Sequence, residues 1–256
     1  MLTWRLHYPL YFREIRGRQP WPTMNSLISL DLDFNELGDN LVGGRFNGLN
    51  TLQELHLRGN GMTKPPKDAL GSLQSLRTLS LDHNNFTRLE KKSFGRLPVV
   101  FNLTMAHNNI NNISMNAFEG LLQLINLDLS NNNITYIPPG AFQTLVALRN
   151  IDLSHNALEK LENKTHGLFD DCLSVRRLDL SFNQIPFVTS KMFPESKWVP
   201  YKLEWVDLSH NNMPVLTSGV LKGKRGNILH ILDNKICRFQ RFILSILFNA
   251  SWRTTM

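Results

Sequence analysis

Cysteine is nearly absent from this chain. Only Cys172 and Cys237 occur among 256 residues, so no disulfide framework holds it together. Long apolar runs are missing too: the mainly apolar stretch Phe242 to Phe248 is seven residues, far short of the roughly 20 that a helix needs to cross a bilayer. We therefore expect no membrane insertion from this segment and find no lipid-anchor signal. The opening MLTWRLHYPLYFREIRGRQPWP mixes charges with aromatics and lacks the continuous apolar stretch of a secretion signal. A CxxC pair, an HExxH helix and a glycine-rich phosphate loop are all lacking, which removes support for a metal, nucleotide or other cofactor.

The formal charge of +7 suggests a polyanion partner until it is located. Residues 1–24 carry four basic and one acidic residue, and residues 214–256 carry seven and one. The 28 basic and 21 acidic residues of the whole chain thus leave 17 against 19 in between, a net charge of −2. Nucleic-acid binding needs Lys or Arg gathered on one folded face, so no nucleic-acid partner is expected.

What the chain does have is a repeat. The frame L-x-x-L-x-L-x-x-N opens at Leu27, Leu52, Leu76, Val100, Leu124, Leu148, Val175 and Leu203, at a spacing near 24 residues that stretches to 27 and 28 at the last two steps. Each copy carries an asparagine in the same slot: Asn35, Asn60, Asn84, Asn108, Asn132, Asn156, Asn183 and Asn211. A fixed period of this length marks a solenoid, in which one coil is one structural unit. Along Leu127-Asp128-Leu129, alternate side chains face opposite sides, so the leucines enter the core and Asp128 faces out. A single coil cannot bury its leucines; stacking at about 4.8 Å pairs the strands and joins the apolar clusters. The slot Asn, with donor and acceptor, is expected to satisfy the backbone groups that the sharp turn leaves unpaired. Ile113 and Phe118, Ile137 and Phe142, Val188 and Phe193, and Leu216 and Leu221 would close the return arm as a convex wall.

This pattern resembles the leucine-rich repeat family, and the Phe five residues after the return-arm residue is typical of its extracellular animal class. The resemblance covers about 27–221 and implies an α/β-type repeat solenoid: a horseshoe with a parallel concave β-sheet and a mostly irregular convex side. Three regions follow: a non-repeat tail at 1–23, expected to be disordered or foreign, a solenoid of about eight coils at 24–224, and a degenerate repeat with a non-repeat tail at 225–256. Secreted members usually carry cysteine-rich caps, and their lack here suggests an internal fragment or an incomplete gene product. The stretch from Leu161 to Cys172 and the words Met213-Pro-Val-Leu-Thr217 resemble a photoreceptor cell-adhesion member, which implies a glycosylated, membrane-anchored ectodomain that joins membranes through its repeats.

Candidate sites follow from the coil geometry. N-x-S/T sequons at Asn85, Asn102, Asn112, Asn133 and Asn163 are candidate glycosylation sites, with another in the tail at Asn249. Asn85 and Asn133 follow slot residues and should point outward, whereas a glycan on Asn102 would occupy the concave face. The outward row Asp128, Asp152, Asp179 and Asp207 is a candidate contact for a basic protein surface. Arg77, Arg149, Arg176 and Arg177 flank it and could pair with those acids, muting its field. The longer coils insert residues around His166 to Asp171 and add PESKWVPYK, whose Trp198 and Tyr201 either supply a contact loop or fold back onto the convex wall. Asp152, Ser154 and His155 supply triad residue types, but D-L-S-x-N recurs with the motif, and a catalytic triad needs one non-repeating geometry. No enzyme is expected. The function this points to is protein binding in cell adhesion, homophilic across membranes, at the extracellular face of the plasma membrane. Alternatives are the ligand-binding ectodomain of a Toll-type receptor and an intracellular repeat scaffold.

Overall fold

The computed structural model describes residues 2–5, 26–161, 167–169, 171–188, 203–216, 228–230 and 238–239. In chain order the strands are β1 (Leu2–Arg5), β2 (Leu27–Asp31), β3 (Glu54–His56), β4 (Thr78–Ser80), β5 (Arg88–Leu89), β6 (Asn102–Thr104) and β7 (Asn112–Ile113). They continue as β8 (Asn126–Asp128), β9 (Asn150–Asp152), β10 (Arg177–Asp179), β11 (Trp205–Asp207), β12 (Val215–Leu216), β13 (Ile228–His230) and β14 (Arg238–Phe239). Ten of them form one parallel sheet in the order β1-β2-β3-β4-β6-β8-β9-β10-β11-β13. Equivalent positions pair across it, as Leu103 with Leu127 and Leu127 with Ile151. One register thus runs through consecutive coils.

The frame leucines are buried in a continuous core from Leu27 to Met213. On the return arm Phe94, Phe118, Phe142 and Phe169 form a column with centroid spacings of 5.8, 5.7 and 6.2 Å. Strands pair at about 4.8 Å. Coils that lie farther apart on the return arm than on the strand side must curve, with the sheet on the inside of the bend. The outer side holds only short elements among the described residues: the parallel pairs β5 with β7 and β12 with β14, one helical turn at Lys67–Leu70 and one 3₁₀ turn at Gly38–Asn40. The molecule is a leucine-rich repeat horseshoe in this respect, with a parallel inner sheet and little helix. The return arms approach closely enough to dictate one residue type. At Gly120 (φ +106°) a Cβ would lie 2.0 Å from the Gly95 carbonyl oxygen, so only glycine fits.

The amino-terminal segment departs from expectation. Leu2–Arg5, read as part of a tail outside the repeat, adds a strand to the sheet, with Thr3 opposite Ser29 and Arg5 opposite Asp31. The leucine frame is needed to bury a coil, not to pair a strand, and the edge of β2 offers open backbone groups to any extended segment. At the other end, Ile228–His230 extends the sheet from β11, where the degenerate repeat was read.

Candidate functional site

The slot asparagines form a ladder through the turn that follows each strand. Asn132 shows the full set: its Nδ2 donates to the carbonyls of Met105 in the preceding coil and Leu129 and Ser130 in its own, each at 3.0 Å. Its Oδ1 accepts the Ile110 N–H of the preceding coil at 3.0 Å. The same arrangement recurs at Asn60, Asn84, Asn108, Asn156, Asn183 and Asn211. Asn35, in the first copy, donates to the Asp33 carbonyl of its own coil. One side chain therefore satisfies groups on two coils at once.

The turn that positions each slot residue is strained. The residue before the slot has positive φ in every copy: Phe34, Gly59, His83, His107, Asn131, His155, Phe182 and His210, the non-glycine members all between 52° and 56°. A left-handed conformation costs an L-residue about 1–3 kcal/mol. The Asn bonds, together with N–H groups such as His83 to the Ala106 carbonyl and His155 to the Ser181 carbonyl, offset it.

These left-handed residues also build a ribbon of rings along one lip of the concave sheet. His83 stacks on His107 at 4.3 Å, and His155, Phe182 and His210 stack in turn at 4.2 and 4.0 Å. The Arg58 guanidinium sits 5.5 Å from the Phe34 ring and 3.0 Å from His83 Nε2. Gly59 is the exception that lets Phe34 lie down: a Cβ there would come within 2.4 Å of the ring. Phe34 and Phe182 are 64% and 43% exposed, so the ribbon is open to partners. Partial burial, the Arg58 cation and His107 together hold the His83 imidazole below its ordinary pKa, against the pull of Asp82. The ribbon was missed in the sequence, although the column before the slot reads F-G-H-H-N-H-F-H.

Across the sheet floor runs a second row of asparagines. Asn102 Nδ2 donates to Thr78 Oγ1 at 3.2 Å, Asn126 Nδ2 to Asn102 Oδ1, and Asn150 Nδ2 to Asn126 Oδ1. The row ends at Arg177, whose guanidinium lies 5.8 Å from the Trp205 ring centroid. Beside it Asp128, Asp152, Asp179 and Asp207 occupy paired positions on adjacent strands, so like charges neighbour one another. Each carboxylate accepts the N–H of the serine two residues on through Oδ1, at 2.8 to 3.0 Å. Burial raises the Asp152 pKa, with Asp128 and Asp179 adding to the rise and the Ser154 hydrogen bonds opposing it.

The two rows floor an open depression of 310 Å³ lined by Thr104, Asn126, Asp128, Asn150, Asp152, Arg177, Asp179 and Trp205 among others. Of the flanking arginines, Arg176 pairs with Glu204 at 3.1 Å and Arg177 stacks on Trp205. Among the described residues neither forms an ion pair with the acid row, and each contacts the following coil instead. The Ser154 backbone N–H donates to Asp152 Oδ1, and the His155 ring stacks on Phe182.

The remaining sequence-read residues separate by position. Asn85, Asn112 and Asn133 are exposed, and Asn102 is half-buried in the floor row. Cys172 is buried and forms no disulfide among the described residues. Asn163, Trp198 and Tyr201, with Phe193, Leu221, Cys237 and Asn249, lie outside the described residues.

Comparison with known proteins agrees with this geometry. The family model described as Leucine rich repeat matches residues 50–110 and 100–158. A search of curated proteins by sequence gives no match. Among solved structures, TLR13 in its complex with ssRNA13 is 27% identical, with a TM-score of 0.71 over 84% of this chain and 29% of that one. Toll in its complex with Spatzle, from Drosophila, is 20% identical, with a TM-score of 0.74 over 91% and 30%. Human 5T4, a trophoblast glycoprotein, is 23% identical, with a TM-score of 0.57 over 72% and 70%. The chain thus spans under a third of the length of the TLR13 and Toll chains that it matches. The family's signature matches the central coils, and the same ladder continues through the described coils on either side, so the chain has the leucine-rich repeat fold.

Proposed function

We propose that this chain is the protein-binding part of a cell-surface adhesion protein and not an enzyme, with the concave sheet as its contact surface. The observation that carries this reading is the sheet floor itself. Its amides are held by one another and its carboxylates by their own turns, so a broad polar surface is organised before any partner arrives, which lowers the entropy cost of binding. Trp205 with Arg177 at one end supplies the residue types that anchor protein interfaces. The acid row favours a basic protein surface and repels a phosphate backbone, which weighs against a nucleic-acid ligand.

The finer identity is chaoptin-like. The words from Leu161 to Cys172 and from Met213 to Thr217 resemble that photoreceptor adhesion protein, and homophilic contact between facing membranes at the extracellular surface follows from the resemblance. A Toll-type receptor ectodomain is the second reading, favoured by the likeness to Toll over 91% of this chain. Cells displaying the full-length, membrane-anchored protein should aggregate with one another, and the soluble repeats should compete. Reversing the acid row with Asp128→Lys and Asp152→Lys should abolish aggregation while surface display persists. Trp198→Ala with Tyr201→Ala separately tests the inserted loop. A full-length protein that never aggregates cells, yet signals on adding a soluble protein ligand, would replace adhesion with the receptor reading.

A further inference from the structure

The sequons divide according to the direction of the strands. All ten inner strands are parallel, so residues that precede a strand line one flank of the solenoid and residues that follow it line the other. Asn85 and Asn133 follow slot residues, on the flank past the strand ends. Each is exposed, as are their sequon threonines Thr87 and Thr135, while Phe86 and Ile134 between them point into the core. Extended backbone puts residues two apart on the same side, which presents each Asn together with its Thr. Asn112 has the same exposure on the small outer pair β5 and β7. The side-chain amides of these three residues have no hydrogen-bond partner among the described residues.

Asn102 is the opposite case. Its Nδ2 donates to Thr78 Oγ1, its Oδ1 accepts from Asn126 Nδ2, and the hydroxyl of its sequon partner Thr104 donates to Asp82 Oδ2 at 2.8 Å. A glycan there would disturb the floor row and fill the depression beside it.

We propose that the protein carries N-linked glycans on Asn85, Asn112 and Asn133 and none on Asn102. Carbohydrate then covers the flank past the strand ends and part of the outer wall. The concave floor and the opposite flank, where Leu122, Val146 and Leu173 are exposed on consecutive coils, stay bare as the path by which a partner reaches the sheet. This inference rests on the extracellular reading above, because N-glycans are added in the secretory pathway.

The test is site mapping on the native protein, captured by antibody from the cells that make it. Glycans are released enzymatically in heavy-oxygen water, and the peptides are then sequenced by mass spectrometry. Label at Asn85, Asn112 and Asn133 with none at Asn102 is the expected result. Label at Asn102, or bare Asn85 and Asn133 while another sequon such as Asn163 is labelled, overturns the inference and leaves the extracellular reading standing. No label at any sequon overturns both. In cells expressing the full chain behind a secretion leader, Asn85→Gln, Asn112→Gln and Asn133→Gln should each remove one glycan's gel shift, and Asn102→Gln none. Thr135→Ala must reproduce the Asn133→Gln shift, which separates loss of the sequon from loss of the asparagine.

Discussion

Two rows of asparagine run through this molecule at the same coil spacing, with opposite physical roles. In the slot row, Asn132 and its equivalents are buried, apart from the half-buried Asn156, and hydrogen-bond backbone groups inside the turns. In the floor row, Asn102, Asn126 and Asn150 are half-buried and bond one another's side chains in front of solvent. The first row holds the turns; the second fixes a surface. Identical chemistry at an identical interval therefore says nothing of role until the face is known.

Breaking a rung of the slot row should have the largest effect. Asn132→Ala leaves the buried Ile110 N–H without its acceptor, while the Met105, Leu129 and Ser130 carbonyls each keep one other donor, and at little change in volume it should cost about 1–3 kcal/mol. Urea melts of the whole solenoid measure it, and no loss at Asn132 or at Asn108 would remove the ladder from the account of stability. A buried hydroxyl without a rung sharpens the point from the other direction. Thr144 Oγ1 is buried with no hydrogen-bond partner among the described residues, so Thr144→Val should stabilise by about 1 kcal/mol, read from the same melts.

The floor row should respond more weakly. Asn126→Ala removes bonds to Asn102 and Asn150 whose ends water can reach, and should cost no more than about 1 kcal/mol. A loss as large as that at Asn132 would make the floor part of the core rather than a prepared surface.

The smallest expected effect depends on pH. The folded-state pKa of Asp152 lies above its ordinary value of 3.8, so the ionised carboxylate carries a penalty in the folded protein at neutral pH. Asp152→Asn keeps an oxygen for the Ser154 N–H and should raise the melting temperature at pH 7. The gain should shrink as pH falls through the raised pKa and vanish below the unfolded value. A gain that does not change between pH 7 and pH 3 would assign it to something other than charge.

How much of this was legible beforehand follows the same division. The slot row announces itself because burial tolerates only one residue type there, so eight copies keep phase. The frame leucines are legible for the same reason, as are the exposed Asn85 and Asn133, which follow from the slot by counting. The floor row was not, because its column reads Ser29, Glu54, Thr78, Asn102, Asn126, Asn150, Arg177, Trp205, and a surface imposes no common residue. The ring ribbon lay in plain view as a column, yet its stacking depends on a left-handed turn that no local preference of Phe or His predicts. The strand at Leu2–Arg5 was invisible for a third reason: pairing with an open edge uses backbone groups, which every residue but proline carries in full.

Each rung of the slot ladder joins a coil only to the one before it. A stretch of gene encoding one whole coil can therefore be duplicated or lost, and the flanking coils meet through a rung of the same kind. Length becomes a heritable quantity that changes in steps of about 4.8 Å along the sheet. Lineages of such chains can tune how far apart two contact surfaces are held by copy number, with no new packing problem to solve at each step.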